Sequence, residues 1–338
     1  MVVVFGAGGF IGTYLVAQLI TDGFDVLATD ISKLGEAYYK EQRIPFIRLD
    51  ITRGEDFDKL PKEGVTSVVN LACLQPANVS EEKYNPMNYI KVNVVGTLNI
   101  LEFCRKTGIH KVIYASSHRN VAGLWESGKP IHENAVRAIK YNGEYAMFSI
   151  SESAAADCVE YYSQEYGIQG IIFRLPPVYG YGPHLEIYKN GKPIKTGFEI
   201  FVGNAVAGKP LEVWGDPKKG RDIIYVKDVV SAIILALKSK DAIGLYNIAS
   251  GRLLSLEEEA EGIARVFSPR DCPGKITYRP DKPNSIEAFL YDITKAKRDL
   301  GWSPKYFYEE WLEDYKKEME SGRFKFLLEK RRQMMSQK

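Results

Sequence analysis

Seven residues near the start of the chain, Gly6-Ala7-Gly8-Gly9-Phe10-Ile11-Gly12, have the spacing of a loop that holds a pyrophosphate. They follow an apolar run, Val2–Phe5, and open an amphipathic stretch, so the loop falls between a strand and a helix N-terminus, where unpaired backbone N–H groups favour an anion. Gly6 permits the tight turn, Gly9 lets the backbone approach the phosphates, and Gly12 lets the helix pack closely on the strand. Phe10 and Ile11, in the first helical turn, belong to the same cradle. Asp30 closes the next strand 18 residues after Gly12, where a carboxylate can accept hydrogen bonds from both hydroxyls of an adenosine ribose. Its charge would repel a 2′-phosphate, which points to NAD rather than NADP. Asp50, ending the third strand, can reach an adenine amino group or cap the helix that follows.

Arg221, between Gly220 and Asp222, offers a planar cationic fork suited to a diphosphate, with an internal carboxylate pair as its alternative. His118 stands beside Ser117 and has a usable unperturbed pKa, although a loop histidine is more often a hydrogen-bonding residue. His110, His132 and His184 share no metal-ligand spacing. The four cysteines, Cys73, Cys104, Cys158 and Cys272, lie far apart without a zinc or CxxC pattern, so free thiols and no metal are expected. Lys and Arg total 45 against 43 for Asp and Glu, which argues against a nucleic-acid or membrane partner and for a small molecule. The start shows no charged region followed by an apolar one, and no apolar run approaches the roughly 20 residues of a spanning helix. A cytoplasmic protein without a signal peptide is the expectation.

The elements that must position these groups alternate. Val2–Phe5, Asp25–Thr29, Pro45–Leu49, Val68–Leu71, Lys111–Ala115 and Gly170–Arg174 read as strands; Phe10–Asp22, Met87–Thr107 and Phe148–Tyr166 read as helices. Such alternation specifies an α/β fold, a doubly wound parallel sheet of Rossmann type, here with a smaller C-terminal substrate-binding lobe. Residues 1–180 form the NAD-binding domain, and Tyr225–Lys238 with Leu245–Ile248 rejoin it within 225–250. Residues 181–224 and 251–320, punctuated by Gly and Pro, form the second lobe. Residues 321–338, rich in Lys and Arg, read as a solvated basic tail.

With these motifs the chain resembles the extended short-chain dehydrogenase/reductases, the NAD-dependent epimerases and dehydratases of nucleotide sugars. Asn70-Leu71-Ala72 is similar to the family's fourth-strand signature, which implies cofactor contacts for Leu71 and Ala72. Asn93-Val94-Val95-Gly96-Thr97 is similar to its helix bearing an Asn beside the active site, so Asn93 is assigned to the cofactor. Arg174-Leu175-Pro176-Pro177-Val178-Tyr179-Gly180 resembles the sixth-strand segment, with Pro177 where an Asn is often found. Arg221–Asp228 resembles the segment whose Arg grips the substrate diphosphate, and Asn247, Ser250-Gly251, Asp292-Ile293 and Leu300-Gly301-Trp302 follow the family pattern. The resemblance implies a nucleotide-sugar substrate and a homodimer pairing helices 93–106 and 149–166.

It also implies a Ser or Thr after the fifth strand and a Tyr-x-x-x-Lys pair on the next helix. Ser117 supplies the first. Counting back from Gly167 places Phe148 at the Tyr and Glu152 at the Lys. Phe148 has no ionisable hydroxyl, and Glu152 would raise a neighbouring phenol's pKa rather than lower it. A one-turn shift would instead align Tyr145 with the Tyr and Ser149 with the Lys. Two readings follow: an enzyme whose acid–base work has moved to Glu152, His118 or Tyr145, or a protein that binds NAD and a sugar nucleotide without redox catalysis. A deliberately inactivated variant would look like the second.

Overall fold

The computed structural model describes residues 1–183, 187–189, 191–272, 274–284 and 286–336, so His184 lies outside the described residues. The apolar run Val2–Phe5 (β1) has no face toward water, which is what a central strand of a parallel sheet covered on both sides requires. Around it stand Val26–Asp30 (β2), Phe46–Arg48 (β3), Ser67–Asn70 (β4), Lys111–Ser117 (β5), Gln169–Leu175 (β6) and Gly244–Asn247 (β7). They form one seven-stranded parallel sheet in the order β7-β6-β5-β4-β1-β2-β3. The chain winds outward in one direction from β1 and then returns to place β4 on its other side. This leaves a crevice above the carboxyl ends of β1 and β4, the place where open α/β sheets bind ligands.

The helices cover both faces. Phe10–Thr21 (α1) lies against Val226–Lys238 on one face, and Gly96–Thr107 (α3) lies against Ala146–Tyr166 (α4) on the other. The sequence suggests one regular helix over Met87–Thr107. The structure instead has a helical turn at Pro86–Tyr89 and a π-helical stretch at Ile90–Val95 before α3. The wider turn brings Asn93 inward, where its amide accepts from the Leu74 N–H at 2.7 Å and donates to the Leu74 carbonyl and to Ser151 Oγ.

A smaller lobe follows β6. Gly197–Val206 (α5) packs on Leu256–Phe267 (α6), and Tyr308–Glu320 (α7) packs on α6. Both α5 and α6 begin with capping boxes, Thr196 with Glu199 and Ser255 with Glu258, so their first backbone donors are satisfied locally. Buried polar hubs join lobe to sheet. The Asp222 carboxylate accepts from the N–H and hydroxyl of Ser250 and from the N–H groups of Gly251 and Tyr291. Asn247 accepts from Arg174 and donates to the carbonyls of Ile131 and Asp292. Trp302 donates to the carbonyl of Asp228 and to Ser231 Oγ.

The basic C-terminal segment is not a solvated tail. Lys325–Ser336 (α8) is a helix packed against Lys33–Glu41 (α2), and Phe324 and Leu327 are buried at its start. The Phe324 ring meets Tyr14 and Tyr181, while the Arg323 guanidinium lies over Tyr14 and faces Glu318. Two apolar side chains on one face outweigh the charges on the other, which remain in water. Among the described residues, no helix is long and apolar enough to cross a membrane.

Candidate functional site

A cleft of about 1890 Å³ opens above the carboxyl ends of the central strands, between sheet and small lobe. Its floor begins with the glycine loop. Gly6 has φ +76°, and a Cβ there would lie 2.6 Å from the N of Ala72, so the loops after β1 and β4 can touch only without a side chain. At Gly12 a Cβ would come within 2.4 Å of the Gly6 carbonyl oxygen. At Gly9 only that same carbonyl is near, at 3.2 Å, and the rest of the space is open to a ligand. Tyr39 fixes the loop from behind, donating to the Ala7 carbonyl at 2.6 Å.

Asp30 ends β2 at the loop's edge and accepts from the Gly8 N–H at 2.9 Å and the Ser32 N–H at 2.8 Å. A carboxylate has about four acceptor sites, so two remain for ribose hydroxyls. Burial raises its pKa, opposed by those backbone donors. Phe10, Ile11, Leu71 and Ala72 line the cleft beside it. Asp50 lines it too, while its Oδ1 accepts from the N–H and hydroxyl of Thr52, so part of its capacity is committed to the local turn.

At the other end of the cleft lie the ends of β5 and α4. Ser117 lines the wall and accepts from the Arg119 N–H at 3.2 Å, leaving its own hydroxyl proton to donate. Phe148 and Glu152, one turn apart on α4, both line the cleft. Phe148 packs with Val79 and Tyr89. Ser149, offered as a Lys counterpart by the shifted alignment, instead donates its hydroxyl proton to the Tyr145 carbonyl at 2.8 Å.

Glu152 is 1% exposed, and its Oε1 is buried without a hydrogen-bond partner among the described residues. Burial pushes its pKa up to about 8, opposed by the neighbouring Tyr114 hydroxyl. The Ser116 hydroxyl, also on the cleft, likewise has no hydrogen-bond partner among the described residues, and Tyr114 Oη lies beside the Glu152 carboxyl. Buried polar atoms left unpaired are uncommon in native proteins, and a ligand hydroxyl or amide would satisfy Ser116 and Glu152. With the glycine cradle at one end and these acceptors at the other, the residues fit an extended dinucleotide.

Asn93, assigned to the cofactor by the resemblance, is 1% exposed, and its amide is taken up by Leu74 and Ser151, which ties the loop after β4 to α4. His118 lines the cleft wall. Its ring stacks on Trp125 at 5.2 Å, its Nδ1 pairs with the Leu175 carbonyl at 3.0 Å, and burial pushes its pKa down to about 3. Tyr145, at the N-terminus of α4, does line the cleft; burial raises its pKa, partly offset by Arg119. Arg221 lines the small-lobe wall, where it donates to the Tyr179 hydroxyl at 2.9 Å and faces Glu259.

The sequence reading passed over Arg119, Glu259 and Cys73, all on the cleft. Arg119 carried a usable signal, since it lies two residues past Ser117 at the end of a central strand. Cys73 and Glu259 are recognisable only from the packing.

A sequence profile of the NAD dependent epimerase/dehydratase family matches residues 2–249. A protein of Methanocaldococcus jannaschii whose name carries a provisional UDP-glucose 4-epimerase assignment is 30% identical over 305 residues, 90% of this chain and 93% of its own. The UDP-glucose 4-epimerase of Thermotoga maritima, solved with UDP-glucose, superposes with a TM-score of 0.77 at 25% identity, covering 95% of this chain and 98% of its own. The Thermus thermophilus UDP-glucose 4-epimerase, solved with NAD, gives 0.72 at 26% identity over 93% and 97%.

Proposed function

Because this chain belongs to the NAD dependent epimerase/dehydratase family, we propose that it acts on a nucleotide sugar with NAD bound and moves the proton of the reacting hydroxyl through Glu152, not through a Tyr-Lys pair. The observation that carries this reading is the Glu152 carboxyl itself, buried in the floor of the cleft, with Oε1 unpaired among the described residues and its pKa pushed up to about 8 by burial. A proton carrier works best when its pKa lies near the working pH, and desolvation has moved this one there.

Bound NAD supplies acceptance and return of a hydride. The chain supplies the rest. Gly6, Gly9 and Gly12 bring backbone to the pyrophosphate, and Asp30 takes the adenosine ribose. Ser117 donates a hydrogen bond to the substrate oxygen, and Glu152, once ionised, receives the hydroxyl proton and later gives it back. Arg221, from the small lobe, faces the diphosphate. Phe148 takes no proton and keeps water from this end of the cleft.

One observation favours the alternative, NAD and sugar-nucleotide binding without redox. At neutral pH Glu152 holds its proton, Tyr145 remains a phenol and His118 is locked in its stack. Incubation with NAD and a pool of nucleotide sugars, read by NMR and mass spectrometry, separates the two. Conversion that disappears in Glu152→Gln supports the enzyme. No conversion by the native chain, with activity gained in a Phe148→Tyr, Glu152→Lys double variant, leaves a binding protein.

The helices that flank this site also support a homodimer. α3 and α4 lie side by side, and Val95, in the π-helical stretch just before α3, and Tyr161 and Tyr166 on α4 are exposed, an aromatic and apolar surface suited to a twofold four-helix contact. A mass measurement at micromolar protein giving only monomer removes this assembly.

A further inference from the structure

Arg119 stands two residues past Ser117, beyond the carboxyl end of β5, and its guanidinium lies in the cleft. Its Cζ sits 3.4 Å from the centroid of the Tyr145 ring and 5.4 Å from that of Trp125. The two rings hold the guanidinium in place. Beyond these ring contacts, no side-chain hydrogen bond or ion pair engages it among the described residues. Two carboxylates, Glu287 and Glu144, act on it from nearby, and Glu287 is paired with Lys140. Arg221 adds a second cation to the same cleft and repels it. Two guanidinium groups in one cleft, one with no hydrogen-bond acceptor among the described residues, match a ligand with two anionic centres.

Arg221 belongs to the small lobe, where it meets Tyr179 and Glu259, and that wall is the one assigned to the diphosphate. Arg119 belongs to the sheet, next to the Ser117 hydroxyl, at the end where the sugar reacts. We propose that Arg119 reads a carboxylate on the sugar ring itself, so that the substrate is the nucleotide derivative of a hexuronic acid. This rests on the nucleotide-sugar reading of the cleft and narrows it. A planar guanidinium pairs with a carboxylate through two parallel hydrogen bonds, a match that a neutral hydroxymethyl group at the same carbon does not offer.

Calorimetry on the NAD-loaded chain tests it without requiring turnover, using UDP, UDP-glucose and UDP-glucuronate, and the matching dTDP series. The expected result is that the glucuronate binds about 10- to 100-fold tighter than the glucose compound. Arg119→Met, which keeps an apolar stem between the two rings, should remove that advantage while leaving the affinities for the nucleoside diphosphate and the glucose compound unchanged. Arg119→Lys should retain part of it. Equal affinity for the two sugars overturns the proposal, and so does an Arg119→Met variant that loses affinity for the bare diphosphate, since that assigns Arg119 to the phosphates. Failure of both whole series to bind overturns the nucleotide-sugar reading itself.

Discussion

Replacing Glu152 by Gln should stabilise the folded chain, by an amount that depends on pH in a defined way. Burial moves the Glu152 pKa from an ordinary 4.5 to about 8. Between those values the folded chain keeps a proton that the unfolded chain has released, so stability falls as pH rises through that window and levels off above it. At about 1.4 kcal/mol per unit, the span amounts to roughly 5 kcal/mol. Because the side chain is 1% exposed, solvent screening removes little of this. Gln has nearly the same shape and does not titrate. Its constant difference from a protonated carboxyl, set by the altered hydrogen bonding, is present at every pH. Urea unfolding of both chains from pH 4 to pH 9 isolates the titrating part, since all other groups cancel in the difference. The advantage of Gln should grow by several kcal/mol between about pH 4.5 and pH 8 and then stay flat. A difference that is independent of pH, or one that shrinks as pH rises, would refute the claim that Glu152 is buried and protonated at neutral pH.

Asp30→Ala should weaken NAD binding by about 10- to 100-fold and narrow the preference over NADP, both measurable by titration of protein fluorescence; unchanged affinity would remove Asp30 from the ribose. Gly12→Ala places a methyl 2.4 Å from the Gly6 carbonyl oxygen and should cost about 1–3 kcal/mol as well as distort the phosphate loop, seen as a lowered Tm with lost NAD affinity. Asp222→Ala removes a fully buried acceptor from four donors and should cost about 2–4 kcal/mol in urea unfolding; a near-neutral result would deny it a structural role. Phe324→Ala should cost about 3–5 kcal/mol and expose the C-terminal helix to limited proteolysis; a chain indifferent to this change would have a loosely attached terminus after all.

The parallel sheet was legible because β-branched runs alternate with amphipathic stretches, and its strand limits lie within about two residues of the sequence reading. The glycine cradle was legible because local backbone geometry demands glycine at Gly6 and Gly12 whatever the distant residues are. The surroundings of Asn93, His118 and the C-terminal segment were not legible for one shared reason: each depends on a partner remote in sequence. A π-helical turn points Asn93 at Leu74 and Ser151, and Trp125 and Leu175 immobilise His118. In the C-terminal segment, the charges of Arg323, Lys325, Lys330, Arg331 and Arg332 masked the helical spacing of Phe324, Leu327 and Leu328. The late motifs Asn247, Ser250 and Trp302 were visible in the sequence, but the structure makes them joints between sheet and lobe. Position alone does not separate a joint from a contact with substrate.

The most direct test of the account is the pH dependence of single-turnover sugar conversion by the NAD-loaded chain, compared with that of Glu152→Gln. The native rate should climb as pH rises through about 8, when Glu152 ionises, and the Gln variant should be slow and flat across the same range. A native rate that ignores pH between 6 and 9, or a Gln variant that converts sugar as fast as the native chain, would contradict it.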